Sequence, residues 1–224
     1  MSERSQDDTR EAYDTHASEF MQLRGPALHP IEQQLASHVL RMAREHQPAA
    51  DEPIRVVDVG VGYGKFLTWW RKQANVLAVG GDNSRQMLRL VTQGNGTARH
   101  QLQQFDAAFL PFADNSVNVV FGHAIYHHLD NPVNAFRDAY RVSKPGGIFY
   151  VFVRQGDFRG RRDEGAGSIY YRYYEIPELK RLLRDAGFQV IRMEPVQDPY
   201  PERGINFIAA FATKPGEDES ECHQ

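Results

Sequence analysis

Apolar residues recur along the chain in two alternating patterns. Short runs rich in β-branched residues alternate with longer runs whose apolar positions have helical spacing. The short runs predict the strands IRVVDV, NVLAVGGD, HQLQQFD, VNVVFGH, GIFYVFV, QVIRMEPV and INFIAAFAT. The longer runs predict the helices KFLTWWRKQ, SRQMLRLVTQ, PVNAFRDAYRVS and ELKRLLRDAGF. Strands that are apolar on both faces and joined by helices form a doubly wound, mostly parallel α/β sheet.

The two ends of the chain depart from this alternation. Helical spacing over residues 7–46, interrupted by Pro26 and Pro30, predicts an N-terminal helical cap over residues 1–50. The last two strands are joined by a proline-rich loop without a helix, so the last strand is predicted to be antiparallel. The predicted main domain covers residues 51–213, with an insertion at about 154–175, and residues 214–224 are predicted to be a disordered tail.

Composition narrows the class of protein without indicating a partner. Hydrophobic residues at 41% and charged residues at 25% are typical of a globular protein, and the formal net charge of -3 gives no overall attraction to nucleic acid. The single cysteine, Cys222, excludes a disulfide framework and a cysteine metal cluster. The sequence contains no apolar run typical of a signal peptide or a membrane helix, so we expect a cytoplasmic protein without a membrane partner.

The segment VVDVGVGYGKF, between the first predicted strand and its helix, indicates a ligand site. Gly60, Gly62 and Gly64 allow a tight turn and a close approach of a ligand to the backbone. The third glycine comes one residue earlier than in the dinucleotide fingerprint G-x-G-x-x-G, which disfavours a pyrophosphate. Asp58 before the loop would repel a phosphate but attract an ammonium or a sulfonium group. We therefore expect a positively charged, nucleoside-containing small ligand.

Two further aspartates stand at the ends of the next predicted strands. Asp82, 24 residues after Asp58, can accept both hydroxyls of a ribose, and it can also cap the following helix. Asp106 and Ala107 follow the third strand, where a carboxylate and a backbone N–H could bind the amino edge of adenine. The alternative for Asp106 is an ordinary turn residue.

Four segments, taken in order, resemble the motifs of class I S-adenosylmethionine-dependent methyltransferases: VVDVGVGYGKF, GGDNSRQML, FDAAFLPFADNSVNVVFGHAIYHHL and YRVSKPGGIFYV. The resemblance extends from about Tyr13 to Ala212. It implies the seven-stranded, Rossmann-like sheet of that class and S-adenosyl-L-methionine as the cofactor. Val61 and Asn118 depart from the residues that are frequent at their positions, a cysteine and an aspartate, and neither departure removes a cofactor contact.

The resemblance also implies a set of cofactor contacts along these motifs. Around the methionine part and its amine it implies Asp58, Gly60, Gly62, Gly64 and the backbone of Gly122 and His123. For the ribose and the adenine it implies Asp82, Asn83, Met87, Asp106 and Ala107, with Tyr13 closing over the cofactor.

The segment HAIYHHL places His123, Tyr126, His127 and His128 beside the expected methyl group. An activated methyl donor needs mainly alignment and exclusion of water. A hydroxyl acceptor must also lose a proton, and we predict His127 as the catalytic base. The alternative is that this histidine only packs or holds a loop. His123 and His127 have i, i+4 spacing, but no carboxylate or cysteine obviously joins them, so no metal site is predicted.

Acceptor choice is expected to depend on the insertion RQGDFRGRRDEGAGSIYYRYYEIPELK, which mixes arginines and tyrosines. This mixture could stack bases and contact phosphates, or it could clamp an anionic or aromatic small molecule. Alternatively, a mobile loop is followed by tyrosines that pack on the cap.

The leading functional prediction is in-line methyl transfer to a small-molecule acceptor. The first alternative is a methyltransferase for the carboxymethyl group of the tRNA wobble uridine, which DVGVGYGKFL, YHHL and RYYE partly resemble. The others are a non-catalytic S-adenosylmethionine-binding protein and a nicotinamide-dependent oxidoreductase on the same sheet topology.

Overall fold

The computed structural model describes residues 2–24, 27–46, 51–94, 101–163, 168–198 and 204–216. Its helices are α1 Ser2–Arg24, α2 Pro30–Glu45, α3 Lys65–Trp70, α4 Arg85–Gly94, α5 Val133–Val142 and α6 Ile176–Asp185. Its strands are β1 Ile54–Val59, β2 Val76–Asp82, β3 Leu102–Gln104, β4 Val117–His123, β5 Ser143–Arg154, β6 Arg159–Asp163, β7 Ser168–Arg172, β8 Gln189–Gln197 and β9 Asn206–Thr213. A short 3-10 helix, Tyr126–His128, follows β4.

The central sheet has the strand order β3, β2, β1, β4, β5, β9, β8. The pairs β2–β3, β1–β2, β1–β4 and β4–β5 are parallel, whereas β9 runs antiparallel between β5 and β8. The order reverses between β1 and β4, and doubly wound sheets bind ligands at such a switch point. The predicted mostly parallel, seven-stranded sheet with an antiparallel last strand is confirmed.

Alternate residues of the central strands enter two core layers on opposite faces of the sheet. One layer joins β1, β4 and β5 to α5 and α6, and includes Val57, Val120, Phe149, Phe136 and Leu183. The other joins the same strands to α2 and α3, and includes Val56, Val119, Ile148, Val39 and Trp70. Burial on both faces explains why these strands are almost continuously apolar.

The two N-terminal helices have different positions. The apolar face of α2 belongs to the core layer on one face of the sheet, with Val39 fully buried. In contrast, α1 contacts α4 and β7 and lies over the cavity described below. The predicted domain boundary after residue 50 stays a prediction, and residues 47–50 lie outside the described ranges. Of the predicted tail, residues 217–224 also lie outside them, while Lys214 donates to the carbonyl of Tyr140 at 3.0 Å.

The predicted insertion contains a two-stranded antiparallel hairpin of β6 and β7, apart from the main sheet. Ile169 and Tyr171 of β7 are fully buried and form a small apolar cluster with Tyr173, Ala12 and Tyr13. Tyr171 and Tyr173 of the insertion therefore pack on the N-terminal helix, as in the packing alternative raised by the sequence. Across the described ranges, no helix has both the length and the apolar character needed to cross a membrane.

Candidate active site

A cavity lies at the carboxyl ends of the parallel strands, under α1. Its walls come from the segments after β1, β2, β3 and β4, from α1 and α2, and from the ends of β5, β8 and β9. The lining includes most of the predicted cofactor residues, namely Tyr13, Asp58, Gly60, Gly62, Asp82, Asn83, Met87, Asp106, Ala107 and His123. Residues from separate motifs thus meet in one site, although the individual cofactor contacts stay predictions.

The loop between β1 and α3 follows a left-handed path at Gly60 and Gly62, with φ of 68° and 55°. A Cβ on Gly60 would lie 2.8 Å from the side chain of Ile125, so packing as well as backbone conformation requires a glycine there. The nearest atom to a Cβ on Gly62 would be the Cε of Met87, at 3.8 Å. Gly62 therefore leaves the backbone accessible from the cavity.

Asp58 presents a buried carboxyl group to this cavity. The residue is only 2% exposed, and no hydrogen-bond partner of its Oδ2 is found among the described residues. Burial, and then repulsion from Asp82, raises the pKa of Asp58 to about 8. A buried polar atom without a partner costs about 1–3 kcal/mol. This oxygen is therefore well placed to receive an N–H or a cationic group of a ligand.

Asp82 organises the loops on both sides of it. Its Oδ2 accepts the N–H of Gly62 at 3.0 Å, and its Oδ1 accepts the N–H of Ser84 at 2.9 Å. Burial raises the pKa of Asp82 to about 6, although the N–H groups of Ser84 and Gly62 act in the opposite direction. A carboxylate has about four acceptor sites, so Asp82 keeps capacity for a ligand hydroxyl while it holds the glycine loop.

Asp106 and Ala107 line the cavity beyond β3, as do Asn83 and Met87. The Oδ1 of Asp106 accepts the N–H of Ala108 at 2.8 Å, so Asp106 also has the turn role that the sequence left open. The second carboxylate oxygen of Asp106 can still serve a ligand. Binding of adenine by these residues stays a prediction.

Two predicted glycine contacts are not among the lining residues found in the described structure. Gly64 has a φ of 83° and begins α3 in a left-handed conformation. A Cβ on Gly122 of β4 would lie 2.1 Å from the ring of Tyr126. Turn geometry and ring packing therefore explain these glycines, and their backbone contacts to a cofactor stay predictions.

Glu32 of α2 also lines the cavity, although it was not predicted from the sequence. Its Oε1 accepts a hydrogen bond from the ammonium of Lys65 and lies 3.5 Å from Nε2 of His123, while its Oε2 accepts the N–H of His29. Burial raises the pKa of Glu32, but the interactions with His123 and Lys65 outweigh it and bring the pKa to about 2. The only local signal was the capping-box spacing of HPIE at the start of α2.

Residues of α1 contact three neighbouring elements around the cavity. The Oγ1 of Thr9 accepts the N–H of Tyr170 at 3.2 Å, and the hydroxyl of Tyr13 lies 3.1 Å from Nε2 of His128. Asp14 binds the start of α4. The helix therefore covers the site through specific polar contacts, and Tyr13 lies where the sequence predicts a closing residue.

His127, the predicted catalytic base, is 3% exposed and is not among the lining residues of the described structure. Its Nδ1 accepts the backbone N–H of Arg154 at 3.3 Å, and its ring contacts that of Tyr171. A 3-10 helix turns by about 120° per residue, so adjacent side chains point in different directions. His128, not His127, faces the cavity. The catalytic role of His127 stays a prediction, and its contacts favour the packing role that is its alternative.

The ends of β5, β8 and β9 contribute Phe152, Asp198 and Phe207, which we call the acceptor wall. The rings of Phe152 and Phe207 stack with centroids 4.6 Å apart, and His123 stacks on Phe152 at 4.2 Å. Because β9 is antiparallel, its first residues lie at the same sheet edge as the last residues of β5. Local sequence patterns predicted acceptor residues in the insertion and gave no signal for the residues of this wall.

The fold and the site fit the class I S-adenosylmethionine-dependent methyltransferases that the sequence resembles. Residues 57–151 match the family model described as a methyltransferase domain. The structure is similar to that of Burkholderia thailandensis 1,6-didemethyltoxoflavin-N1-methyltransferase, which has S-adenosylhomocysteine bound, with a TM-score of 0.68 and 17% identity over 96% of this chain and 91% of that one. The resemblance of the ordered motifs to this class is confirmed. S-adenosylmethionine as the predicted cofactor is confirmed as well.

Other relatives show how far the similarity extends. Malonyl-[acyl-carrier protein] O-methyltransferase of Pectobacterium atrosepticum is 30% identical over 100 residues, which are 44% of this chain and 38% of that protein. The chain spans less than two thirds of this relative's length. The [4+2]-cyclase SpnF has the same fold, with a TM-score of 0.69 and 21% identity over 94% of this chain and 96% of that one. The fold alone therefore does not identify the reaction.

Proposed function

We propose that the protein transfers a methyl group from S-adenosylmethionine to a small-molecule acceptor. The observation that carries the proposal is the composition of the cavity under α1. One part of its lining contains the predicted donor residues, among them Asp58, Gly62 and Asp82, and the acceptor wall adds Phe152 and Phe207. Donor and acceptor would therefore meet in a site covered by the same helix.

The residues present fit the cofactor. The buried Oδ2 of Asp58 suits a cationic or N–H group, and Gly62 leaves its backbone accessible. Asp82 has acceptor capacity for ribose hydroxyls. When bound, S-adenosylmethionine supplies an activated methyl group on a sulfonium. The chain then has to align the acceptor atom and exclude water, and α1 over the cavity supports the second task.

Two observations support a small acceptor over tRNA. The described arginines of the insertion are engaged within the chain: Arg159 and Arg172 both bind Glu178, and Arg161 binds Ser168. These contacts occupy cationic groups that a tRNA-binding surface would use for phosphates. In addition, the similar Burkholderia protein is named for a small acceptor, 1,6-didemethyltoxoflavin.

The proposal is tested by incubating the purified protein with S-adenosylmethionine carrying a radioactive methyl group. A small-molecule panel of phenols, carboxylic acids and amines is compared with bulk tRNA that lacks wobble-uridine modification. Label on a panel compound, lost in Asp82→Ala, supports the proposal. Label on tRNA alone contradicts it in favour of the tRNA alternative. Calorimetric binding of S-adenosylhomocysteine without transfer to either would indicate a non-catalytic binding protein.

The oxidoreductase alternative is tested separately by thermal denaturation. We expect S-adenosylhomocysteine, and not NAD, to raise the melting temperature. Stabilisation by NAD alone would contradict the proposed function.

A further inference from the structure

We propose that Tyr13 and His128 form a proton-accepting pair in the active site. The pair takes the proton from the reacting atom of the methyl acceptor, which is an oxygen or a nitrogen. The inference rests on the proposed methyl transfer and assigns a chemical class to the acceptor. Both side chains line the cavity, and they belong to segments 115 residues apart in the sequence. Their meeting is therefore a product of the tertiary fold.

The hydrogen bonds of His128 determine which ring nitrogen carries its proton. Its Nδ1 lies 3.1 Å from the carbonyl oxygen of Tyr170, and a carbonyl oxygen can only accept, so Nδ1 is the N–H donor. A neutral imidazole has one N–H, so Nε2 has a lone pair. Nε2 lies 3.1 Å from the hydroxyl of Tyr13. Tyr13 therefore donates its hydrogen to His128.

This arrangement gives a direction for proton movement. A hydroxyl has acceptor lone pairs besides its hydrogen, and through them Tyr13 can accept from a group bound in the cavity. In the transfer, the acceptor atom forms a bond to the methyl carbon, the carbon–sulfur bond breaks, and sulfur keeps the electron pair as a neutral thioether. The acceptor's proton passes to Tyr13 while the proton of Tyr13 passes to Nε2 of His128. His128 then carries one positive charge, and it returns its proton to solvent after product release.

Several titratable or charged groups surround the pair. The ring of His127 lies 4.5 Å from that of His128 in the same 3-10 helix, and the ring of Tyr171 on β7 lies 4.9 Å away. The guanidinium of Arg154 on β5 lies over the ring of this same Tyr171, 3.8 Å from the ring centroid. From α1, Arg10 lines the cavity near Tyr13 in the helix.

On the outer side, the carboxylate of Asp130 accepts the hydroxyl of Tyr170 at 2.8 Å. The pair therefore works beside two arginines and one aspartate, and a pH profile measured on it includes their influence.

Docking of α1 assembles the pair. The backbone of Tyr170 serves both partners, since its N–H donates to Thr9 of α1 and its carbonyl accepts from Nδ1 of His128. One residue of β7 thus fixes the helix that carries Tyr13 and the ring that Tyr13 meets. Besides the ring of Tyr171, the insertion therefore contributes this backbone position to the pair.

The first test is nuclear magnetic resonance of the full chain with nitrogen-15-labelled histidine, saturated with S-adenosylhomocysteine. At about pH 7.5, above the ordinary histidine pKa, we expect His128 to have a protonated Nδ1 and an unprotonated Nε2. Its Nε2 resonance should shift in Tyr13→Phe. Protonation on Nε2, or a resonance that is unchanged in Tyr13→Phe, would overturn the pair. This readout is independent of methyl transfer.

The second test is kinetic and uses catechol, octanoic acid and tyramine as acceptor probes. For a probe that the wild type methylates, Tyr13→Phe and His128→Gln should each lower kcat about 100-fold or more, with little change in KM for S-adenosylmethionine. Protonation of His128 should lower kcat at acid pH in the wild type, and this decrease should be absent in His128→Gln. Tyr140→Phe, which alters a tyrosine of α5 outside the cavity lining of the described residues, serves as the matched control and should keep the wild-type kcat.

The two tests separate the failure of the pair from the failure of the proposed function. Wild-type kcat in both variants with any methylated probe would overturn the pair and leave methyl transfer intact. If only tRNA were methylated, the small-molecule function would fail, while the histidine resonances would still decide whether the pair exists.

Discussion

The Oδ1 of Asp14 accepts a 2.6 Å hydrogen bond from the hydroxyl of Ser84, and this bond ties α1 to the start of α4. Asp14 also accepts the N–H of Gln86 at 3.2 Å, so its negative charge lies at the positive end of the α4 dipole. The N–H of Ser84 in turn donates to Asp82. Docking of the covering helix is therefore coupled to the organisation of the predicted ribose site.

We expect Asp14→Ala to weaken binding of S-adenosylhomocysteine by about 1 kcal/mol, because one capping interaction is lost. Hydrogen exchange should become faster in residues 9–17 of α1, since the helix loses an anchor. Thr15→Ala, at an exposed position of the same helix, is the control and should change neither quantity. Unchanged exchange protection in Asp14→Ala would contradict the coupling.

Asp82→Ala is expected to weaken cofactor binding by about 1–3 kcal/mol, because ribose hydroxyls lose their acceptor and the N–H groups of Gly62 and Ser84 lose theirs. Calorimetry with S-adenosylhomocysteine measures the effect. The exposed Asp51, which precedes β1, supplies the matched control Asp51→Ala, with an unchanged dissociation constant. An equal dissociation constant for Asp82→Ala and the wild type would refute the assignment.

Cofactor binding should release protons between pH 6 and 8. The pKa of Asp58 is raised to about 8 and that of Asp82 to about 6, so Asp58 is mostly protonated at neutral pH in the structure described. A cationic ligand favours the carboxylate, so affinity for S-adenosylmethionine should rise with pH over this interval. Calorimetry in buffers with different ionisation enthalpies counts the protons. A proton count near zero for the wild type, or the same count in Asp58→Asn, would exclude Asp58 as their source.

The carboxyl group of Asp58 also affects folding stability, and this effect decreases with rising pH, whereas the affinity for the cofactor increases. The folded-state pKa of Asp58 lies above the ordinary value of 3.8, so the folded chain keeps a proton that the unfolded chain has released. Its contribution therefore favours the folded state less as pH rises from 3.8 to about 8. Asp58→Asn should accordingly flatten the pH dependence of the unfolding free energy of the ligand-free protein, measured by urea denaturation.

Gly60→Ala and Gly62→Ala should differ in their effect on stability. Both positions have positive φ, so an alanine costs about 1 kcal/mol at each. A Cβ on Gly60 would also meet Ile125 at 2.8 Å, whereas one on Gly62 has 3.8 Å of space, so Gly60→Ala should lower the unfolding free energy more. Denaturant titration of the two variants provides the comparison. Equal losses would show that Ile125 moves aside at little cost.

The sequence predicted the sheet well because its strands have strong local patterns. VNVVFGH matches β4 over its full length, and β1 likewise matches IRVVDV, since strands buried on both faces consist almost wholly of apolar residues. The hairpin strand β6 was not predicted, because its residues Arg159–Asp163 are mostly exposed and show no apolar alternation. Its conformation depends on pairing with β7.

The site was predicted where a motif lies in one segment and missed where distant segments meet. The glycine loop and Asp82 were identifiable because each lies at the end of a strand. Glu32 enters the cavity from a helix, and Asp198 comes from the far end of the chain, so only the tertiary fold shows that they share one lining. The choice between His127 and His128 depends on the turn of a 3-10 helix, which a histidine pair in the sequence does not specify.

The reversed direction of β9 affects how such a chain can diversify. It brings Phe207, from a late segment of the polypeptide, to the rim of a site whose donor residues are encoded much earlier. Substitutions at Phe207 or Asp198 can therefore accumulate without altering Asp58 or Asp82. Under the proposed methyl transfer, new acceptor preferences could then evolve while the binding of S-adenosylmethionine is inherited unchanged.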